Sequence, residues 1–190
     1  IYIIPQLNPD GAQLYTRNNA NNIDLNRDAV NCSEPETQCL LDIYRKIEPD
    51  FCFNLHDQRT IYSAGRLGKT SSVSFLAPSS NQNREITNAR EKSMQLIVSL
   101  FKHLSIPKNV GRYDDVYNPN CMGDYFIGRN TPTILFEAGH TPGDYSREIT
   151  RKYIFLSLCE SLRCISNSKY LKNLTEDYFA IPENKKDFVD

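Results

Sequence analysis

Apolar and polar positions alternate along the chain in blocks that predict short buried strands separated by long helices. Four short apolar runs are typical of buried strands, at residues 2–4, 51–55, 73–76 and 133–136. Three longer stretches place apolar residues at helical spacing, from just after Ser33 to about Ile47, from about 84 to 105, and from about Tyr145 to Ile165. Strands that alternate with helices of this length predict an α/β fold, in which helices cover a central sheet.

The predicted helices have end signals and apolar faces in the sequence. Ser33 is the expected N-cap of the first helix, with Glu36 as its capping-box partner, and this helix stops before Pro49. Pro107 is expected to end the second helix. The predicted core positions of the second and third helices are Ile86, Met94, Ile97, Phe101, Leu104, Ile149, Tyr153, Leu156 and Leu158.

The charge balance narrows the classes of partner. The chain has 190 residues, with 22 basic and 23 acidic side chains and a formal net charge of -1. This balance gives no electrostatic reason to expect a nucleic acid or a membrane surface as partner, and no apolar run approaches the length of a membrane span. We therefore expect a small molecule or another protein as partner.

The spacing of the cysteines bears on metal binding, on redox chemistry and on the cellular compartment. They lie at positions 32, 39, 52, 121, 159 and 164, and no C-x-x-C pair occurs. This spacing argues against a zinc ribbon or a redox motif, so we expect buried, reduced thiols that pack as small apolar groups. The absence of a disulfide-framework pattern favours a cytoplasmic location.

The beginning of the chain predicts an open sheet edge. The sequence starts in an apolar run without a methionine. We expect from this that preceding sequence is missing and that an edge near residues 1–5 is exposed. Because open edges pair readily with other strands, we expect self-association through this edge.

A long polar loop follows the first predicted strand and contains two arginines. Arg17 and Arg27 lie ten residues apart among several asparagines. Guanidinium groups suit the planar, bidentate capture of a carboxylate. The alternative is that the two arginines pair with structural aspartates such as Asp10 or Asp28, and composition alone favours this alternative.

Two further side chains stand at the ends of predicted strands. His56 follows the apolar run 51–55, where it is well placed to ligate a metal, although a lone histidine is more often structural. Glu137 ends the apolar strand 133–136, and burying a carboxylate there is costly unless it is paired or functional. Burial would raise its pKa towards the range of a general base, so the functional interpretation is favoured for Glu137.

Five segments, taken in order, resemble the M14 family of zinc carboxypeptidases, the carboxypeptidase A superfamily. They are Asn8-Pro9-Asp10-Gly11, Arg17-Asn18-Asn19, Asp24-Leu25-Asn26-Arg27-Asp28, Leu55-His56 and Phe136-Glu137. The resemblance runs from residue 1 to about 160. Within the family, the chain is most similar to a bacterial subgroup in which two of these segments have the sequences N-L-H-D-Q-R-T and I-L-F-E-A-G-H. It implies a three-layer fold with a mixed, mostly parallel central sheet flanked by helices. It also implies that residues 1–190 are the C-terminal two-thirds of a single M14 catalytic domain.

The resemblance implies a role for each matching residue. His56 would be one of three ligands of a Zn²⁺ cofactor, and Asp24 would orient a ligand histidine through its ring N–H. Arg17 would polarise the scissile carbonyl and stabilise the developing oxyanion. Glu137 would act as general base on a metal-bound water and then deliver the proton to the leaving amine. The implied reaction is hydrolysis of the C-terminal residue of a peptide.

The resemblance also implies a clamp for the terminal carboxylate of the substrate. Asn26 and Arg27 would bind this carboxylate together with a mobile tyrosine that closes over the substrate. Tyr117 is the natural candidate, and because its spacing is one residue short of the usual pattern, Tyr113 and Tyr125 stay open. The expected lining of the side-chain pocket is Asn120, Cys121, Met122 and Gly123. No acidic residue lies at 120–123, which argues against a strict preference for Lys or Arg termini, but Asp114, Asp115 and Asp124 lie nearby and leave this preference open.

The chain departs from the family in its metal site. The first two zinc ligands of the family come from a His-x-x-Glu motif upstream of Asn-Pro-Asp-Gly, and this chain contains no H-x-x-E. Because a catalytic zinc normally has three protein ligands, His56 alone would hold zinc poorly, and we predict that these 190 residues are inactive alone. A substitute site made of His56, Glu137 and His140 would consume the general base, so we expect His140 to support the loop instead.

Two other functions stay open. A zinc amidohydrolase of the succinylglutamate desuccinylase or aspartoacylase type would act on N-acyl amino acids, so the substrate is a peptide or a modified amino acid. A non-catalytic module would recognise C-terminal carboxylates through Arg17, Asn26 and Arg27. The complete Asn-Pro-Asp-Gly and Phe-Glu-Ala segments favour the carboxypeptidase, and Glu137 argues against a pure binding module.

Overall fold

A computed structural model describes residues 1–65, 69–103 and 109–188. Its helices are α1 (Pro9–Leu14), α2 (Pro35–Ile47), α3 (Asn88–His103), α4 (Met122–Gly128), α5 (Glu148–Ser166) and α6 (Glu176–Phe179), with 3₁₀ helices at Leu25–Arg27 and Lys169–Lys172. Its strands are β1 (Cys52–Asp57), β2 (Tyr62–Ala64), β3 (Val73–Leu76), β4 (Val110–Arg112), β5 (Thr133–Ala138) and β6 (Asn184–Lys186).

Four of these strands form the central sheet in the order β1-β5-β3-β4. β1 is parallel to β5 and β3 is parallel to β4, whereas β3 and β5 are antiparallel. The sheet is therefore mixed, with parallel pairs at both sides of one antiparallel pair. A smaller antiparallel sheet joins β2 to β6.

Helices cover both faces of the central sheet. On one face, Phe53, Ile134 and Phe136 pack with α3 and α5 in the main core. The ring of Phe136 makes edge contacts with Phe53 and Phe75, at 5.2 and 5.4 Å between ring centroids. On the other face, α2 and α4 pack around Cys52. This arrangement confirms the predicted α/β fold with a mixed, mostly parallel sheet flanked by helices.

The segment after α5 returns to the central sheet. The buried hydroxyl of Tyr178 accepts the N–H of Ala77 at 3.1 Å. In β6, the side-chain amide of Asn184 donates to Ser74 Oγ at 2.8 Å and to Gln58 Oε1 at 3.0 Å. This segment lies beyond residue 160, where the family resemblance ends, so no sequence signal predicted its position.

Three of the four predicted strands are confirmed, as β1, β3 and β5. The strand predicted at residues 2–4 is wrong, because this segment has no strand structure and Ile1 and Ile3 are 91% and 79% exposed. A strand needs a hydrogen-bonding partner, and within the described ranges no strand pairs with it. The expected open edge is therefore not at residues 1–5. The outer strands of the central sheet, as far as the structure describes it, are β1 and β4.

The first predicted helix is confirmed as α2, but its predicted cap is wrong. The cap position is Glu34, and no side chain there bonds to the helix. The Ser33 hydroxyl instead donates to Asp28 Oδ1 at 2.7 Å, and the N–H groups of Ser33 and Glu34 donate to the same carboxylate. Pro35 at the first helical position fixes the start of the helix, because its φ is already helical.

The second and third predicted helices are confirmed as α3 and α5, and both begin later than expected. Arg84 lies in the left-handed region with a φ of 54°, so the helix predicted from about 84 begins at Asn88. The predicted core positions Met94 and Ile97 are fully buried, and Tyr153 and Leu158 pack partly buried against the core. The core predictions that are wrong, because these side chains are exposed, concern Ile86, Phe101, Ile149 and Leu156. Leu104 and Pro107 lie outside the described residues.

The cysteine prediction is confirmed in part. All six cysteines are free thiols. Cys164 is buried, but Cys39 and Cys159 are exposed, since they lie on the outer sides of α2 and α5. In the part of the chain that the structure describes, no helix combines the length and apolar character needed to cross a membrane.

Candidate active site

Most of the polar residues singled out in the sequence meet in one cleft of about 730 Å³ at the carboxyl ends of β1 and β5. β1 contributes Asn54 and His56, and β5 contributes Leu135 and Glu137. These are alternate residues, so their side chains point to the same face of the sheet, opposite the main core. The predicted site residues that line the cleft are Arg17, Asn26, Arg27, His56 and Glu137. Asp24 lies beside them, bonded to Arg17.

The polar loop of residues 8–28 is ordered by its own side chains. Asn8 Oδ1 accepts the N–H of Gly11 at 2.9 Å, and its Nδ2 donates to the carbonyl oxygen of Arg17 at 3.1 Å. A Cβ on Gly11 would lie 2.4 Å from Asn8 Nδ2, so a larger residue would displace this turn. Asp24 caps the following 3₁₀ helix by accepting the N–H of Asn26 at 3.0 Å. Turn and cap together bring Arg17 and Arg27 to the cleft.

The two arginines have different partners. Arg17 Nε donates to Asp24 Oδ2 at 2.7 Å, so it is paired, but not with Asp10 or Asp28 as the structural alternative supposed. Arg27 Nη1 donates to the carbonyl oxygen of Asn26 at 2.6 Å and to Cys121 Sγ at 3.0 Å. None of the ion pairs found among the described residues contains Arg27. Arg27 is therefore a cation of the cleft that is suited to an anionic ligand.

Asn26 is tied to the opposite wall of the cleft. Its Oδ1 accepts the N–H of Met122, the first residue of α4, at 2.9 Å. The same wall approaches residues 29–30 through Asn120, whose backbone and side-chain oxygens accept the N–H groups of Ala29 and Val30 at 3.3 and 3.1 Å. The side-chain oxygen of Asn26 thus fixes the start of α4, which leaves its NH₂ group as the donor available for a ligand.

His56 and Glu137 are side by side, because they are register partners in the parallel pair of β1 and β5. Burial, together with the charges of Arg17 and Arg27, lowers the pKa of His56 to about 4, and Asp24 opposes this shift. His56 is therefore neutral at pH 7. Its Nε2 is buried and has no hydrogen-bond partner among the described residues. A neutral imidazole with an unpartnered nitrogen is the form that ligates metal ions.

Glu137 is 5% exposed. Burial and, after it, the negative charge of Asp57 raise the pKa of Glu137 to about 7, and Arg17 opposes this shift. The carboxyl can therefore both accept and release a proton near neutral pH, which is the property of an efficient general base. The sequence prediction that burial raises this pKa agrees with its position in the structure.

The residues that the structure describes fit one metal ligand rather than a complete metal site. The unpartnered His56 Nε2 is a suitable donor atom. No group of three or more His, Cys, Asp or Glu side chains that could hold a metal ion occurs within the residues described. His140 does not complete such a site, because its Nε2 lies 3.0 Å from the carbonyl oxygen of Gln58 and bonds to it. His140 instead connects the segments that follow β5 and β1, as expected for a loop-supporting residue.

The three candidate tyrosines lie in different surroundings. Tyr113 lines the cleft, and its hydroxyl donates to the hydroxyl of Tyr62 at 3.2 Å. Tyr117 is half-buried and does not line the cleft in this conformation. Tyr125 packs on Phe126 and lies under the Arg129 guanidinium, 3.8 Å from its ring centroid. The closing role assigned to Tyr117 stays a prediction.

The lining predicted for the pocket of the substrate side chain agrees only in part with the residues that line the cleft in the structure. Cys121 and Gly123 line the cleft, together with Asn118 and Asp124. Asp124 is 8% exposed and is absent from the ion pairs within the described ranges. Burial raises its pKa to about 6. No sequence pattern indicated this burial, because Asp124 lies in the first turn of α4, a helix too short to show which of its faces is buried.

Sequence comparison finds carboxypeptidases among curated proteins. Carboxypeptidase SOL1 of Arabidopsis thaliana is 39% identical over 66 residues, which are 30% of this chain and 13% of that protein. Probable carboxypeptidase 2 of Arthroderma benhamiae is 25% identical over 169 residues, covering 86% of this chain and 29% of that protein. Carboxypeptidase 2 of Trichophyton tonsurans is 26% identical over the same length, covering 28% of that protein. No protein-family model matches the chain.

Structural comparison defines the class of fold. The crystal structure of a metallo-carboxypeptidase from Burkholderia cenocepacia matches 86% of this chain and 44% of that chain, with a TM-score of 0.58 and 18% identity. The chain therefore has the fold of a metallo-carboxypeptidase, and its sequence is similar to that of curated carboxypeptidases. It spans less than a third of the length of those curated relatives.

Proposed function

We propose that these residues carry the catalytic base and the substrate clamp of an M14-type zinc metallocarboxypeptidase of the bacterial subgroup, which removes the C-terminal residue of a peptide. The observation that carries the proposal is the pair His56 and Glu137, which are neighbours in register at the edge of the cleft that Arg27 also lines. An unpartnered imidazole nitrogen, a carboxyl with a pKa of about 7 and a cation for a carboxylate are the groups that this reaction requires.

Each side chain has a separate task in this proposal. Arg27 and the NH₂ group of Asn26 bind the terminal carboxylate of the substrate, and Arg17 donates to the carbonyl oxygen at the scissile bond. Glu137 accepts a proton from the attacking water and passes it to the leaving amine. Zinc, held by His56 and two ligands from outside these residues, would supply Lewis-acid activation. We propose accordingly that the 190 residues alone are inactive.

The substrate test uses the full-length protein and matched peptides. Short peptides with a free C-terminal carboxylate should lose their last residue, whereas the same peptides with a C-terminal amide should remain intact, because an amide removes the charge that Arg27 binds. Mass spectrometry of the products measures both. Cleavage of the amidated peptides at the same rate would contradict the clamp. Hydrolysis of N-acyl amino acids with no peptide cleavage would support the amidohydrolase instead.

The catalytic test replaces the proposed base. Glu137→Gln should lower kcat by about 10²–10⁴-fold, because the amide cannot accept the proton. Glu176→Gln, at an exposed position in α6, is the matched control and should keep full activity. Unchanged affinity of Glu137→Gln for a C-terminal carboxylate, together with no activity in the unmodified protein, would support a binding module.

The metal test compares the full-length protein with the 190-residue chain. Elemental analysis should find about one zinc per full-length molecule and none on the shorter chain, because His56 is a single ligand. Chelation should abolish peptide cleavage and added Zn²⁺ should restore it. Tightly held stoichiometric zinc on the shorter chain would contradict the requirement for outside ligands. The self-association expected from an open edge would, on this structure, involve an outer strand of the central sheet, β1 or β4, rather than residues 1–5.

A further inference from the structure

Arg147 lies at the junction between the two strands that carry His56 and Glu137. It is the residue directly before α5, and it has a left-handed backbone conformation with φ 62° and ψ 19°. This conformation is unfavourable for a residue with a side chain and persists only where the surroundings hold it in place. No sequence pattern singled out Arg147, because the helix predicted from about Tyr145 included it, whereas in the structure α5 begins one residue later.

One nitrogen of Arg147 connects both strand ends. Its Nη2 donates to Asp57 Oδ1 at 2.7 Å, and it also donates to the backbone carbonyl oxygens of Ala138 and Gly139 at 3.0 and 2.8 Å. Asp57 directly follows His56 and Ala138 directly follows Glu137. The guanidinium therefore contacts the residue that directly follows His56 and the residue that directly follows Glu137.

The loop around Arg147 is built to present this side chain. The N–H of Arg147 donates to the carbonyl oxygen of Asp144 at 3.1 Å. The buried Asp144 carboxylate accepts the N–H groups of Ile149 and Thr150 at 3.2 and 2.9 Å, which attaches the loop to the first turn of α5. Both the backbone and the acidic side chain of Asp144 thus stabilise the left-handed conformation of Arg147.

The side chain of Arg147 is largely shielded from the solvent, whereas its ion-pair partner Asp57 is not. Its side chain is 26% exposed, whereas that of Asp57 is 73% exposed. The ion pair alone would therefore contribute little, because water screens an exposed carboxylate. The bonds to the carbonyl oxygens of Ala138 and Gly139 make the contact directional, since these oxygens belong to the backbone at the end of β5.

We propose that Arg147 is a positioning residue that joins the ends of β1 and β5 and so fixes the distance between His56 and Glu137. This inference rests on the proposed peptidase function for its catalytic consequence, but the joining of the strands is independent of it. Arg147 touches neither the cleft-lining arginines nor the carboxylate clamp in the contacts described. Its loss should therefore change the rate of the chemical step more than the binding of substrate.

The kinetic test uses the full-length protein with three variants. Arg147→Ala should lower kcat by about 10–100-fold and change KM by less than about twofold, because small displacements of reacting groups cost that much. Arg147→Lys keeps the charge and should recover part of the kcat, which also covers the case in which the alanine variant does not fold. Arg151→Ala is the nearby control, because Arg151 lies in the first turn of α5 and its side-chain contacts, an exposed ion pair with Glu148 and a bond to the carbonyl oxygen of Ser146, do not reach β1 or β5.

The structural test measures hydrogen exchange at the strand ends in the same proteins. The N–H of Gln58 donates to the carbonyl oxygen of Ala138 at 2.9 Å, and it should exchange about tenfold faster in Arg147→Ala than in the unmodified protein or in Arg151→Ala. Unchanged exchange at Gln58 overturns the joining of the strands. Faster exchange with an unchanged kcat, or an equal loss of kcat in Arg151→Ala, overturns the positioning role. If the unmodified protein cleaves no peptide, the proposed function fails, and the exchange rates alone still decide on the joining of the strands.

Discussion

The two faces of the central sheet use alternate residues of the same strands and bury opposite kinds of side chain. The face towards α3 and α5 is closed and built around Phe136, with ring contacts to Phe53 and Phe75. The face towards the cleft holds His56 and Glu137, one with a buried unpartnered nitrogen among the described residues and one with a raised pKa. Hydrophobic burial stabilises the first face, whereas burial of polar groups destabilises the second.

This difference indicates that stability and function are separated by strand face. A substitution on the apolar face should lower the free energy of unfolding. On the cleft side, replacement of a buried ionisable group by a neutral one should raise stability while it lowers activity, as is common at functional sites. Four substitutions test this contrast. Phe136 and Leu55 lie on the apolar face, Asp124 lies on the cleft side, and Asp28 lies at the margin of the cleft.

The largest effect is expected at Phe136. This residue is fully buried, so Phe136→Ala should lower the free energy of unfolding by about 3–5 kcal/mol through lost burial and a cavity between the aromatic rings. Urea unfolding followed by far-ultraviolet circular dichroism measures the loss. Phe155→Ala is the control, because the side chain of Phe155 in α5 is 65% exposed. Equal losses for the two variants would contradict a closed core on this face.

The second effect is a gain in stability at Asp124, on the cleft side. Burial raises the pKa of Asp124 from its ordinary value of 3.8 to about 6. The ionised form is therefore unfavourable in the folded protein, and this group lowers stability as the pH rises from 3.8 through about 6. Asp124→Asn should raise the free energy of unfolding by about 2 kcal/mol at pH 7.5 and by much less at pH 4.

Urea unfolding at both pH values checks the Asp124 prediction. A gain of the same size at pH 4 and pH 7.5 would show that the effect does not come from ionisation. A loss of stability at pH 7.5 would mean that the hydrogen bond that the carboxylate accepts from the N–H of Asn118 outweighs the cost of burying its charge.

The third effect has the opposite dependence on pH and concerns Asp28, at the margin of the cleft. Burial alone would raise the pKa of Asp28, but hydrogen bonds from Ser33 and Glu34 outweigh it and lower the pKa below 3.8. This group stabilises the protein above pH 3.8, and the contribution is lost as the pH falls through the lowered pKa. Asp28→Asn should lower the free energy of unfolding by about 1–2 kcal/mol at pH 7, because the amide nitrogen cannot accept the N–H of Glu34.

The difference between Asp28→Asn and the unmodified protein should shrink as the pH falls, and acid-induced unfolding curves measure this directly. If the difference stays constant between pH 7 and pH 3, the hydrogen bonds to the ionised carboxylate are not its cause. The change in the free energy of unfolding should vary with pH in opposite directions for Asp28→Asn and Asp124→Asn. This result would distinguish a buried aspartate with a lowered pKa from one with a raised pKa.

The smallest effect is expected at Leu55. Alternation along β1 places Leu55 on the same face as Phe53, but its side chain is 55% exposed. Leu55→Ala should therefore change the free energy of unfolding by less than about 0.5 kcal/mol. Urea unfolding of Leu55→Ala and Phe136→Ala under the same conditions compares the two losses of stability. A loss above about 2 kcal/mol would show that the apolar face is closed as far as the end of β1.

Sequence patterns predicted the central elements well and the margins poorly. The apolar runs of β1, β3 and β5 are long enough to identify a buried strand, and the helical spacing in α2, α3 and α5 is equally clear. The shorter elements β2, β4, β6 and α4 carry too few residues for a period to be recognised. The run at residues 2–4 has the composition of a strand but no partner within the described residues, so composition alone misled the prediction.

The candidate site shows the same division. Arg17, Arg27, His56 and Glu137 were identified from residue type, local pattern and family resemblance, and the structure brings them into one cleft. The resemblance selected Tyr117 as the closing tyrosine, whereas Tyr113 lines the cleft in this structure. Spacing along the chain does not fix which side of a loop faces a cavity.

The sequence by itself determined that a glutamate ends a buried strand, that a histidine follows another, and that two arginines lie in a polar loop. These properties depend on neighbours in the chain, whose apolar pattern decides burial. Only the tertiary structure decided that Arg17 pairs with Asp24, that Asp124 is buried and that Arg147 joins β1 to β5. Those contacts depend on the approach of backbone segments and charges in three dimensions, and local pattern carries no information about that approach.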